Sequence, residues 1–129
     1  MAMERVFPPN SPTPRGPYSP AIRAGDFIFV SGQGPIDAVT DKLVVAPIEE
    51  QTRITLTNVQ RVLAACEATM ADVVKCSVFL RDVSEFPRMN EVYKTFFGDT
   101  CPARTTVEAK FFQAEMLVEI DCVAYKPAS

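Results

Sequence analysis

Histidine is missing from this chain of 129 residues. Any proton transfer therefore falls to carboxylates, hydroxyls, thiols, lysines or water, not to the side chain that titrates nearest neutrality. Long apolar runs are missing too. None approaches the ~20 residues a membrane-spanning helix needs, so no span is expected. No basic stretch exceeds two residues, the net charge is -3 and the pI is about 4.9. Nucleic acid is not expected as the main partner, because phosphate binding needs clustered Lys and Arg. The cysteines, Cys66, Cys76, Cys101 and Cys122, lack zinc-ligand spacing, and no metal site is expected. They read as reduced thiols, Cys101 in a loop and the others in apolar elements. No hydrophobic run follows Met1-Ala2-Met3-Glu4-Arg5, so a signal peptide is not expected and a cytoplasmic location is.

What is present describes one globular domain over residues 1–129. Hydrophobic residues make up 47% and charged residues 22%, which excludes a disordered chain. The length suits a single core. Residues 1–15 begin a proline-rich arm, with Pro8, Pro9, Pro12, Pro14 and Pro17 biasing the backbone towards extended forms. Phe27-Ile28-Phe29-Val30-Ser31 reads as a strand after the Gly25-Asp26 turn, ended by Gly32-Gln33-Gly34-Pro35. Leu43-Val44-Val45 reads as its hairpin partner. Glu49 and Glu50 open a helix whose apolar face is Thr55, Leu56, Val59, Val62, Leu63 and Cys66. Residues 73–80 are apolar on both sides, as in a central strand. A second helix begins after Ser84 as N-cap, with Pro87 in its first turn and Gly98 at its end. Its buried stripe is Phe86, Met89, Tyr93, Phe96 and Phe97, with Asn90 beside it. Two strands, 103–111 and 117–125, close the chain. The order β-β-α-β-α-β-β predicts an α+β sandwich with two helices on one sheet.

The last strand places Val118, Ile120, Cys122 and Ala124 on one side, suited to lie under helices. Leu117, Glu119, Asp121, Val123 and Tyr125 form a mixed second side, suited to a subunit interface. Arg104, Thr106, Glu108 and Lys110 share a face of the preceding strand, and Val107, Ala109 and Phe111 its apolar face. The polar faces of both strands are thus expected to look away from the helices. If the strands form a hairpin, Arg104 sits opposite Val123, ~13 Å from Glu119 and too far for an ion pair. Either a bulge changes this register or the two groups meet across a cleft or subunit boundary. Pattern alone leaves Arg104 equally suited to an interfacial salt bridge and to gripping a ligand carboxylate through its planar fork.

The motifs Gly16-Pro17-Tyr18-Ser19-Pro20-Ala21, Val30-Ser31-Gly32-Gln33, Asn58-Val59, Phe86 to Phe97 with Asn90 and Tyr93, Pro102-Ala103-Arg104-Thr105 and Val118-Glu119-Ile120 run through nearly the whole chain. In this order and spacing the chain resembles the RidA (YjgF/YER057c/UK114) family of reactive-intermediate deaminases. The resemblance implies a chorismate-mutase-like fold, a homotrimer with its sites between subunits, and hydrolysis of enamines and imines such as 2-aminoacrylate without metal or cofactor. By position it implies that Arg104 holds the substrate carboxylate and Glu119 handles water or a proton. Tyr18, Ser31, Gly32 and Asn90 are implied to line the pocket. Thr106 joins them where many members carry cysteine, which puts thiol-dependent activity in doubt. Two rival readings stand beside this one. One is a module that binds small carboxylates or 2-keto acids without turnover. The other is the ribonuclease or translation-inhibitor role described for some relatives, which the acidic composition does not favour.

Overall fold

Alternation along the last strand fixes the layers. Val118, Ile120, Cys122 and Ala124 are all buried, as a period of two requires of a strand with one covered face. The computed structural model describes residues 3–127, so the first two residues of the expected arm lie outside it. Its elements are β1 (Met3–Val6), β2 (Ala21–Ala24), β3 (Phe27–Gln33), α1 (Ile48–Ala65), β4 (Val73–Leu80), α2 (Phe86–Phe97), β5 (Ala103–Glu108) and β6 (Val118–Tyr125). One six-stranded sheet has the order β1-β2-β3-β6-β4-β5. Only β4 and β5 run parallel. Two helices on a mixed sheet make the α+β fold that the sequence predicts.

The helix α1 packs over β3 and β6, and α2 lies beside α1. Leu56, Val59, Val62 and Leu63 of α1 meet Ile28, Val78 and Ile120 of the sheet in one buried cluster. The expected stripe of α2 is covered at Met89, Tyr93 and Phe97, while Phe86 at the helix start is exposed. Pro87 occupies the first turn and Gly98 ends the helix at φ 58°, a conformation glycine adopts without strain. Ser84 is not the N-cap. A 3-10 turn over Val83–Glu85 leads into the helix, and the Asp82 carboxylate accepts from the Ser84 N–H.

Several expectations about the sheet are corrected. Leu43 makes only an isolated bridge to Ile36, and the hairpin partner of β3 is β2. A few backbone bonds, from the Asp37 N–H to the Lys42 carbonyl and from the Val44 N–H to the Pro35 carbonyl, close the 37–44 loop, and side chains add to them. Asp37 accepts from the Val39 and Thr40 N–H groups, and the Gln51 amide donates to the Val44 carbonyl. The chain before the prolines is not all arm, since β1 pairs with β2 there. The strand β4 is not covered on both faces within one chain: Cys76, Val78 and Leu80 are buried, Val74 is exposed.

The strands β5 and β6 do not form a hairpin. Parallel strands need a crossover, and α2 supplies it between β4 and β5. The chain then returns past β4 so that β6 enters between β3 and β4. Two buried or half-buried polar side chains anchor this return. Arg81 donates to the Met116 and Gln113 carbonyls, and Gln51 donates to the Glu115 carbonyl while accepting from the Leu117 N–H.

The sheet face away from the helices keeps large apolar side chains in the open. Phe29 is 47% exposed, with Phe27 and Tyr125 beside it in an edge-to-face pair, and Val107 on the edge strand is 44% exposed.

Candidate active site

Arg104 opens β5 opposite Cys76 of β4, and Cys76 in turn faces Cys122 of β6. Both cysteines are buried under the helices, so Arg104 projects towards α2 and not away from it. The expected face is therefore reversed. An edge strand has a neighbour on one side only, and the apolar residue that seemed to mark its covered face, Val107, is the exposed one. The Arg104 guanidinium carbon lies 4.7 Å from the Tyr93 ring centre and 5.3 Å from that of Phe86, within cation–π range of both. Among the described residues no acceptor or carboxylate meets its N–H groups.

Buried polar atoms collect around this arginine. Asn90 follows Phe86 by four residues and precedes Tyr93 by three, on one face of α2. Thr106 follows Arg104 by two, on the same face of β5. Asn90 Oδ1, the Tyr93 hydroxyl and Thr106 Oγ1 are buried without a hydrogen-bond partner. Five side-chain atoms among the described residues share that condition, so three of them gather beside Arg104. Buried polar groups are normally paired, and clustered exceptions call for a functional explanation. Burial, then the neighbouring Cys76 thiol, pushes the Tyr93 hydroxyl upward in pKa, so it stays a neutral phenol. That thiol lies near the hydroxyl without good hydrogen-bond geometry.

Glu119 lies on the other face of the sheet. It pairs with Phe79 across β6 and β4, and its carboxyl reaches Gly32 of β3. A β-bulge between Val30 and Gln33 brings Gly32 there. A Cβ at position 32 would stand 2.8 Å from Cδ and 3.1 Å from Cγ of Glu119, and would collide with its Oε2. Glycine is thus what lets the acid lie back against the strand. Burial, followed by the Asp121 charge, raises the Glu119 carboxyl above the usual carboxylate range.

A cleft of about 370 Å³ opens beside this acid, with Tyr18, Gly32, Phe79, Met116 and Lys110 in its walls. The proline-rich segment forms its outer wall. Arg15 donates to the Asp41 and Thr13 carbonyls, and Asp41 accepts from the Thr13 N–H. Tyr18 is positioned by its own hydroxyl, which accepts from the Arg15 N–H at 3.1 Å and keeps its proton to donate. Ser31 is half-buried and spends its hydroxyl on the Ser19 carbonyl at 2.6 Å, so it ties this segment to β3.

The seven residues singled out from the sequence thus fall into two groups. Arg104, Asn90 and Thr106 gather under α2. Glu119, Gly32 and Tyr18 gather at the open face, with Ser31 behind them. Arg104 and Glu119 stand three positions and two strands apart, which is about 14 Å between backbones, with side chains on opposite faces. Pattern reading missed the aromatic contacts of Arg104, although Phe86 and Tyr93 share a helix face by spacing alone. It also missed the role of Gln51, which is buried in α1 along with Thr52, Thr55 and Asn58. Among the described residues no cluster of Cys, Asp or Glu has the arrangement to hold a metal ion, and no helix is long and apolar enough to cross a membrane.

A model of the family described as Endoribonuclease L-PSP matches residues 8–126. The chain is 45% identical over 123 residues to a RutC family protein of Pyrococcus horikoshii, covering 95% of this chain and 98% of that one. It is 37% identical over 124 residues to a 2-iminobutanoate/2-iminopropanoate deaminase of Dermatophagoides farinae, covering 95% and 97%. A crystal structure of a Rid family protein from Yersinia pestis matches with a TM-score of 0.91 at 36% identity, covering 96% of this chain and 99% of that one.

Proposed function

We propose, from the premise that the chain belongs to the Endoribonuclease L-PSP family (the RidA/YjgF family its motifs resemble), that it hydrolyses enamine and imine acids such as 2-aminoacrylate to 2-keto acids and ammonia. The observation that carries this reading is Arg104: a half-buried guanidinium that meets no acceptor among the described residues and shares the helix-facing side of β5 and α2 with three unpaired polar atoms. A planar fork of that kind matches a carboxylate through two parallel N–H···O bonds. The substrate class is a small acid whose reacting carbon adjoins the carboxylate.

The chemistry needs little more than position. A proton reaches C3 of the enamine, giving the imine. Water adds to C2, and the carbinolamine expels ammonia to leave the 2-keto acid. Arg104 fixes the carboxylate and so places C2. The unpaired Asn90 Oδ1 accepts from the substrate nitrogen, and Thr106 Oγ1 has a free lone pair and proton beside it. Glu119, raised in pKa by burial and by Asp121, exchanges a proton nearer neutrality than an ordinary carboxylate does. The Tyr18 phenol donates to the developing oxygen, and Gly32 keeps the backbone clear of the acid.

Arg104 and Glu119 point to opposite sides of one chain, so a single substrate meets both only across a boundary between copies. We infer a homotrimer in which the open sheet face, with Phe27, Phe29 and Tyr125, packs against a neighbour and brings one copy's Glu119 to another's Arg104. The test is pyruvate release from 2-aminoacrylate generated by a separate pyridoxal-phosphate enzyme, with and without this protein. Faster release is expected. Equal rates across several amino-acid-derived imines, with 2-keto acids still bound in calorimetry, would leave the non-catalytic binding module instead.

A further inference from the structure

We propose that Phe86 and Tyr93 are positioning residues for Arg104: stacked on its guanidinium, they fix its plane and leave its N–H edge open to a planar anion. The proposal rests on the carboxylate-binding role given to Arg104 above. An arginine near a sheet edge has four side-chain torsions free and ordinarily settles on the nearest carboxylate or carbonyl. Such a bond would occupy the donors a substrate needs. Here the guanidinium carbon lies within 4.7 and 5.3 Å of two ring centres instead, and no protein acceptor is engaged among the described residues. Stacking uses the π face of the guanidinium and leaves the in-plane N–H groups available.

The two rings differ in how they are held. Tyr93 is buried and packs against Phe97 in a tilted ring pair, with ring centres 4.8 Å apart, so it is a fixed platform. Phe86 is 37% exposed at the first turn of α2 and stands outside the buried core cluster, so its contact with Arg104 is an addition to the fold, not a part of the core. The seven-residue separation of the rings puts them two turns apart on one helix face, with Asn90 between them. One helix face thus supplies both the stack that orients the arginine and an unpaired acceptor beside it.

The test uses the full chain with Phe86→Leu and Phe86→Trp, because changing an exposed ring leaves the core intact. Leucine keeps the bulk and removes the π face. Tryptophan restores it and strengthens it. Two readouts are taken. The first is the Arg104 side-chain Nε–H resonance, which ring currents should move upfield in the native protein. It should return towards its ordinary position in Phe86→Leu and move back upfield in Phe86→Trp. The second is steady-state deamination. Phe86→Leu should raise KM for the imine about two- to fivefold with kcat little changed, and Phe86→Trp should restore it. An ordinary Arg104 resonance in the native protein, or a KM that Phe86→Leu leaves unmoved, overturns the proposal. If the native protein neither deaminates imines nor binds pyruvate, the deaminase reading fails, while the resonance still decides whether the rings hold the arginine.

Discussion

Arg104 and Glu119 bring opposite charges into half-buried positions of one sheet, and their surroundings hold them by different means. The arginine is kept by added side chains, with Tyr93 and Phe86 covering its guanidinium. The glutamate is kept by a missing one, because only the bare backbone of Gly32 leaves room for its carboxyl. The rings leave the cation's donors free, and the sparse solvation of the cleft raises the acid towards a useful proton affinity. Neither is joined to a counter-ion among the described residues. An ion pair between them would occupy the fork and pull the acid's pKa down, undoing both preparations at once. Separation on opposite sheet faces prevents this within one chain.

The largest effect is expected from removing the cation. With Arg104 as the proposed carboxylate anchor, Arg104→Ala should lower kcat/KM for 2-aminoacrylate by about 2–4 kcal/mol, roughly 30- to 1000-fold. Pyruvate release in the coupled assay measures it. Native-like turnover in that variant would mean the arginine half is structural.

Mixing the two halves comes next. Arg104→Ala and Glu119→Gln proteins, each deficient alone, are denatured together and refolded. If sites form between copies of a trimer, random mixing restores about a quarter of native activity, since three-quarters of trimers are mixed and each holds one intact site of three. No gain over the separate variants would show that both groups act within one chain.

How much of this was readable beforehand depends on the range of the interactions. The covered side of the last strand follows from Val118, Ile120, Cys122 and Ala124, because alternation is local and one face of that strand lies wholly under helices. The end of α2 at Gly98 and Pro87 in its first turn were legible for the same reason. The strand order was not. Pairing the last two strands as a hairpin is the short-range choice, and only the parallel docking of β5 on β4 and the anchoring of 113–117 by Arg81 and Gln51 defeat it. That error carried over to the site. Parity says that Arg104 and Thr106 share a face, but which face the helices cover is a tertiary fact. The meeting of Gly32 with Glu119 was equally hidden, since it depends on a bulge and on two strands distant in sequence.

A smaller change sharpens the glutamate half. Gly32→Ala places a methyl group where the Glu119 carboxyl lies, and overpacking of this kind costs about 1–3 kcal/mol. Thermal unfolding should report a lower Tm, and deamination should fall because the acid is displaced. Gly34→Ala makes the control. Its added carbon would meet only the flexible end of Met116, 2.8 Å away, so it should lose less stability and little activity.

The smallest effect is a matter of pH. Burial and the Asp121 charge raise the folded-state pKa of Glu119 above its unfolded value, so the folded protein holds this proton more tightly than the unfolded chain does. The sign follows directly. Below the unfolded pKa the carboxyl is neutral in both states and carries no penalty. As pH rises through the interval up to the folded pKa, the unfolded chain releases the proton first and stability declines. Above that interval the full penalty of a half-buried charge remains. Glu119→Gln stays neutral throughout, so its Tm should exceed that of the native protein at neutral pH, and the difference should vanish as pH falls through the ordinary carboxylate range. A Tm gap constant with pH would assign the effect to packing. A gap that widens on acidification would mean the acid is paired with a cation after all, and the contrast with the ring-held arginine would fail at the glutamate.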